Sequence, residues 1–183
     1  MSETYQRLMA CAAASDPFDA HVFACILAKG ASEAPRPLTE AVGLSGPELA
    51  RLVARVYPGA HWLLADWAAS AGADALEEPD LRALLRDNAT IPGADEPVWL
   101  AAMVARRSLQ PDHLWQDLGL AQRGDLTGLL NRHFAPLAVL NTQDMKWKKF
   151  FYRQMCQMEG INICKSPVCD TCTDFPICYG PEE

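Results

Sequence analysis

The sequence predicts an all-α protein: a single helical domain with an irregular, cysteine-rich metal-binding loop at its C-terminus. Three observations predict it. Apolar residues recur three and four positions apart along most of the chain, no segment sustains the period-two alternation of a strand, and four of the seven cysteines crowd into Cys164–Cys178. The expected division is a helical body over 1–160 and a cysteine-rich loop over 161–183 packed on the last helix.

Size and charge narrow the function. A chain of 183 residues, half of them apolar, can bury a substantial core. Its formal net charge of −7 argues against nucleic acid as a partner, since phosphate-backbone binding needs a basic surface. No apolar run approaches the roughly 20 residues of a membrane span, so no membrane association is expected. No nucleotide-binding glycine motif and no fixed-period repeat is present.

The elements follow in order. Tyr5, Leu8, Met9 and Ala12 share one helical face and predict a first short helix. Ser15-Asp16-Pro17 reads as a stop and a restart, with Ser15 or Asp16 as cap and Pro17 in the first turn of a helix that carries Phe18, Val22, Phe23, Ile26 and Leu27. Cys11 and Cys25 are read as small buried hydrophobes. Ala34-Pro35-Arg36-Pro37 is a loop, and Ser45 caps a helix over Leu49, Leu52, Val53 and Val56. The stretch from His61 to about Ala71 is expected to be a further core helix, with His61 solvated or capping. Glu77-Glu78-Pro79-Asp80 places acidic residues at the positive end of a helix with Leu81, Leu84 and Leu85 inward. After the Ile91–Pro97 linker, Trp99, Leu100, Met103 and Val104 mark a helix finishing at Arg106 and Arg107, expected to be ordinary solvated charges at a negative helix end. A short His113–Leu120 segment precedes a helix through Leu126, Leu129, Leu130 and Phe134, which Pro136 bends or restarts. His113 and His133 are accessory candidates for a metal, set against ordinary hydrogen-bonding roles.

The last helix is expected over Asp144–Met158, with Trp147, Phe151, Met155 and Met158 on its buried face. Lys146, Lys149 and Arg153 form a basic stripe on another side, a candidate for docking an anion or a partner. Cys156 lies near that stripe, either a packed thiol or a reserve ligand. Gly160 ends the helix just before the cysteines.

Cys164, Cys169, Cys172 and Cys178 are spaced C-x4-C-x2-C-x5-C, so four thiolates can converge on one inorganic centre without long-range folding. Pro167 and Pro176 are read as keeping this loop stiff and non-helical. Structural zinc sites usually separate two knuckles by a longer spacer, whereas iron–sulfur loops run their cysteines in quick succession. The spacing is closer to the latter but matches no standard ferredoxin pattern, and zinc stays open. The chain opens Met-Ser-Glu-Thr-Tyr without the basic and apolar regions of an export signal, so reduced thiols in the cytoplasm are expected.

Taken together, Met145–Cys156, Glu159-Gly160, the four-cysteine motif and the closing Tyr179-Gly180-Pro181-Glu182 resemble the NifQ family, as do His113–Leu120 and Arg132–Asn141. Tyr179, Met155 and Ala135 depart from that family's usual phenylalanine, leucine and proline, none of them a ligand. The resemblance implies a soluble carrier rather than an enzyme: a metallochaperone holding a molybdenum-containing iron–sulfur cluster for nitrogen fixation. Its implied partners are molybdate or another molybdenum donor and the nitrogenase cofactor-assembly proteins, both scaffold and iron protein, that build the iron–molybdenum cofactor. Two other readings of the residues stay open: an iron–sulfur electron carrier or redox sensor, and a zinc-stabilised helical interaction module.

Overall fold

Asp16 sets the start of the longest helix. A computed structural model describes residues 2–13, 16–73, 75–160 and 175–179. In it, Asp16 Oδ1 accepts the backbone N–H groups of Phe18 at 3.0 Å and Asp19 at 3.1 Å. Pro17, in the first turn, has no N–H to satisfy, so cap and proline together fix the entry of Pro17–Ala31. With Glu3–Ala10 as α1, this helix is α2, and the two lie against each other. Every side chain from Val22 to Ala28 is buried, which makes α2 the central rod of the body.

Short helices then wrap the rod. The Pro-rich loop leads into α3, Leu38–Val42, a short helix additional to those that the apolar spacing predicts. Gly43 closes α3 at φ 70°, a left-handed conformation costly for any residue with a Cβ. Ser45 starts α4, Gly46–Val56, as expected, with Glu48 Oε2 accepting the Ser45 backbone N–H at 2.8 Å. Gly46 is needed for room, since a Cβ there would lie 1.7 Å from the Trp67 carbonyl oxygen.

The expected core helix over His61–Ala71 is corrected to one 3-10 turn, His61–Leu64. Leu63 reaches the core, but Trp67 stands 55% exposed and Ala65 is exposed, so the segment has no continuous apolar face to hold a longer helix.

The second half packs as α5, Glu78–Asp87, along α6, Asp95–Ser108. The four-residue α7, Leu114–Asp117, follows, then α8, Arg123–His133, and α9, Ala135–Ala138, the restart that Pro136 predicts. Next, α10, Trp147–Met158, lies against α5, and α11 is Phe175–Tyr179. The buried side chains form one connected core, and no strand occurs among the described residues. No described helix is long and apolar enough to cross a membrane.

Arg106 and Arg107 require the largest correction. They are 3% and 1% exposed, not solvated. Arg106 Nε donates to Glu78 Oε2 at 2.9 Å, and its Nη1 donates to the carbonyls of Ala71 at 2.8 Å and of Glu40. Arg107 donates from Nη2 to Glu33 Oε1 at 2.6 Å and from Nε to the Asp117 carbonyl at 2.7 Å. Burial pushes the Glu33 carboxyl up, but the hydrogen bond and charge of Arg107, with Arg36 and Lys29, more than offset this and hold it below its ordinary value. Glu78, expected to serve the α5 dipole, is fully buried against Arg106 and Arg82.

Candidate metal and anion site

Helix α10 begins at Trp147 rather than Asp144. Asp144 has φ 54°, outside helical backbone, and the Asn141 side chain grips Met145, accepting its N–H at 2.8 Å and donating to its carbonyl at 2.9 Å. The buried face is Trp147, Phe150 and Phe151, with Trp147 and Phe150 edge to face at 5.7 Å between ring centroids. Met155 is partly buried against the core, whereas Met158, expected inside, is 69% exposed at the last turn. Phe150 belongs to this face because it sits three positions from Trp147, on the same side of the helix.

The cations of α10 have different fates. Lys148, absent from the predicted stripe, turns inward: Nζ donates to the carbonyls of Gln110 and Asp112, each at 2.6 Å, and pairs with Asp117. Lys149 is exposed and Lys146 partly so. Arg153 is half-buried, and its Nη1 donates to the Tyr179 hydroxyl at 3.4 Å.

That contact brings in α11. The Lys146 backbone N–H donates to the Cys178 carbonyl at 2.8 Å, and the Tyr179 hydroxyl donates to Gln143 Oε1 at 3.1 Å. Cys178 and Tyr179 pack, partly buried, against the core. The predicted ligand Cys178 is therefore fixed at the head of α10, next to the basic positions. Pro176, read as holding the loop non-helical, instead falls in the first turn of α11, where a missing N–H costs nothing. Cys164, Cys169 and Cys172 lie outside the described residues, as does most of the expected 161–183 unit. Among the described residues no group of three or more His, Cys, Asp or Glu side chains is arranged to hold a metal.

The accessory candidates are placed individually. His113 is the N-cap of α7, its backbone N–H donating to Gln116 Oε1 at 3.1 Å. His133 Nε2 sits 2.9 Å from Asp19 Oδ1, and Arg132 pairs with Asp16 and Asp19, so these residues of α8 fasten it to α2. Cys156 is partly buried on α10.

Sequence reasoning missed a polar cluster under α1. Tyr5 Oη is 2.8 Å from His21 Nδ1, while Cys25 Sγ lies 3.8 Å and Asp125 Oδ2 3.8 Å from His21 Nε2. Burial, and next the Asp125 charge, pushes the Cys25 thiol up to about 11, which keeps it protonated and poorly nucleophilic. The His–Cys spacing of i, i+4 on α2 was the available signal.

Beside Tyr179 a cleft of about 310 Å³ opens between the 140–145 segment and α10. Thr142, Gln143, Arg153, Gln154 and Gln157 contribute its polar lining, with Leu140, Met145 and Phe150 among its apolar lining.

Comparison with known proteins converges on one family. The NifQ family profile matches residues 22–180. The chain is 40% identical to "Protein NifQ homolog" of Sinorhizobium fredii over 171 residues, covering 91% of this chain and 74% of that protein. It is 40% identical to "Protein NifQ" of Rhodobacter capsulatus over 161 residues, 86% of this chain and 87% of the relative. With "Protein NifQ" of Azotobacter vinelandii it shares 45% identity over 107 residues, 58% and 54% of the two chains. No solved structure matches.

Proposed function

The chain belongs to the NifQ family, and from that premise we propose that it is a molybdenum carrier in nitrogen fixation, a donor to nitrogenase cofactor assembly and not an enzyme. In this reading Cys164, Cys169, Cys172 and Cys178 hold an iron–sulfur cluster, and molybdenum is the cargo. The bound cluster supplies sulfur ligands that soft metals favour over oxygen. The observation that carries the reading is the position of Cys178, fixed by the Lys146 N–H at the start of a helix bearing Lys146, Lys149 and Arg153. Thiolate donors gather negative charge, and cations within a few ångströms stabilise the deprotonated form on which metal binding depends. The donor type fits a cluster, and the adjacent cations fit an anionic one.

Anaerobic purification followed by iron, molybdenum and zinc quantification tests the proposal. Bound iron with molybdenum, lost when any of the four cysteines becomes serine and retained in Cys11→Ser and Cys25→Ser, is the expected result. Iron without molybdenum supports an electron carrier or redox sensor, and one tightly held zinc without colour supports an interaction module. Equal metal loss across all six variants refutes the ligand assignment.

A further inference from the structure

The peptide unit that joins Met145 to Lys146 is held at both of its polar ends. Its carbonyl, that of Met145, accepts from Asn141 Nδ2 at 2.9 Å and from Arg123 Nη2 at 3.3 Å. Its N–H, that of Lys146, donates to the Cys178 carbonyl at 2.8 Å. The unit is trans, and in a planar trans peptide the C=O and the N–H point in opposite directions. Fixing the carbonyl therefore fixes the line along which the N–H meets Cys178.

The two grips on the carbonyl come from different elements. Asn141 also accepts the Met145 N–H at 2.8 Å, so one side chain holds Met145 on both sides. Arg123, the first residue of α8, donates as well to the Asp144 carboxylate at 2.9 Å and to the Asp144 carbonyl at 3.1 Å. Asp144 stands at φ 54°, a left-handed conformation that aspartate tolerates better than most residues but not without cost, so the guanidinium holds a backbone that would otherwise relax. A charged donor on the carbonyl also polarises the peptide and strengthens its N–H as a donor.

We infer that Arg123 and Asn141 are positioning residues for Cys178: they orient the Met145–Lys146 peptide, and that peptide sets where the Cys178 thiolate stands. That Cys178 is a metal ligand rests on the carrier reading, whereas its anchoring to this peptide does not. Cys178 lies on the five-residue α11, and the tether attaches at the carbonyl of the same residue that bears the thiol. A ligand carried on so short an element takes its place from its tether, as metal ligands elsewhere take theirs from the groups that orient them.

Two measurements on the full chain test this. In the metal-free, reduced protein the Lys146 amide should be protected from hydrogen–deuterium exchange, and Arg123→Met and Asn141→Asp should each speed its exchange by about tenfold or more. Asn141→Asp keeps the oxygen that takes the Met145 N–H and removes only the donor to the carbonyl. In the anaerobically purified protein the same two variants should lose iron to a chelator about tenfold faster than the parent, the lower end of what removal of an orienting group costs a metal site. Arg123→Lys, which retains a cationic donor, should recover most of both effects. Thr127→Val removes the 3.3 Å bond from the Trp147 indole that ties α10 to α8 without touching the peptide, and should change either rate by less than about twofold. Circular dichroism checks that each variant is folded. Unchanged Lys146 protection in both Arg123→Met and Asn141→Asp overturns the anchor. Faster exchange with unchanged iron loss overturns the positioning role and leaves the carrier reading standing. Thr127→Val matching Arg123→Met in both measurements overturns it too, reducing the grip to ordinary docking of α10. A parent with a protected Lys146 amide but no metal on its cysteines sinks the carrier reading and the ligand role with it, and leaves the anchor.

Discussion

Helices α6 and α10 both carry adjacent cations, and the protein uses them in opposite ways. On α6, Arg106 and Arg107 are buried among Glu78, Glu33 and four backbone carbonyls of other segments. On α10, Lys149 faces solvent and Arg153 faces a cleft. The difference lies in what surrounds each charge. Loops whose carbonyls point inward need donors, and an arginine fork can satisfy several at once while its stem packs like a hydrophobe. A lysine facing water has no such duty and is available for binding. Lys148 shows that the division falls within a single helix, since its ammonium fills the same carbonyl-satisfying role between Gln110 and Asp112.

The sharpest way to break this contrast is to neutralise Glu78. Glu78→Ala leaves Arg106 buried without its carboxylate and should cost about 3–5 kcal/mol in urea unfolding, as for other broken buried pairs. A loss under about 1 kcal/mol would mean that the α6 arginines behave as surface charges. Next in size, Lys148→Met should cost about 1.5–3 kcal/mol, because hydrogen bonds made by a charged group are lost and the two carbonyls lose their donor. Lys146→Gln with Lys149→Gln should cost at most about 1 kcal/mol per site, yet, if the proposed carrier role holds, slow molybdenum handover and flatten its salt dependence. Unchanged transfer across a salt series would reduce these lysines to a solvated face.

The smallest effect concerns Cys25. Its folded-state thiol is raised from an ordinary 9.0 to about 11, so its contribution to stability is complete below about pH 9 and is lost as pH rises toward 11. Melting temperature should fall across that window, and less so in Cys25→Ala. Iodoacetamide at pH 8 should label the partly exposed Cys156 well before Cys25.

Much of the helical body was legible because its determinants are local. Asp16-Pro17, Ser45-Gly-Pro-Glu48 and Pro136 each mark a helix start by a cap or a fixed φ, and the structure places starts at or beside all three. The failures share a cause of a different kind. His61–Ala71 has helical spacing and alanines, but propensity does not hold a helix without a face to bury. The burial of Arg106 and Arg107 depends on Glu33, Glu40 and Ala41, more than 60 residues away, which no window of sequence exposes. At the candidate site, spacing predicts the cysteines as a set, of which Cys178 alone lies among the described residues, and places a basic helix before them, which α10 provides. The cleft was not legible, since Gln143 and Tyr179 meet only when α11 returns to the head of α10.

The two α6 arginines also bear on how the molecule opens. Their partners lie on α5 and the segment before it, on α3 and the segment before it, and on α7, so the complete set of bonds exists only after those segments have docked on α6. Contacts of such long sequence separation are costly to close and are expected to form after the rate-limiting step of folding. They should therefore act as latches on unfolding: replacing either arginine should accelerate the unfolding arm of a chevron plot while leaving the refolding arm nearly unchanged.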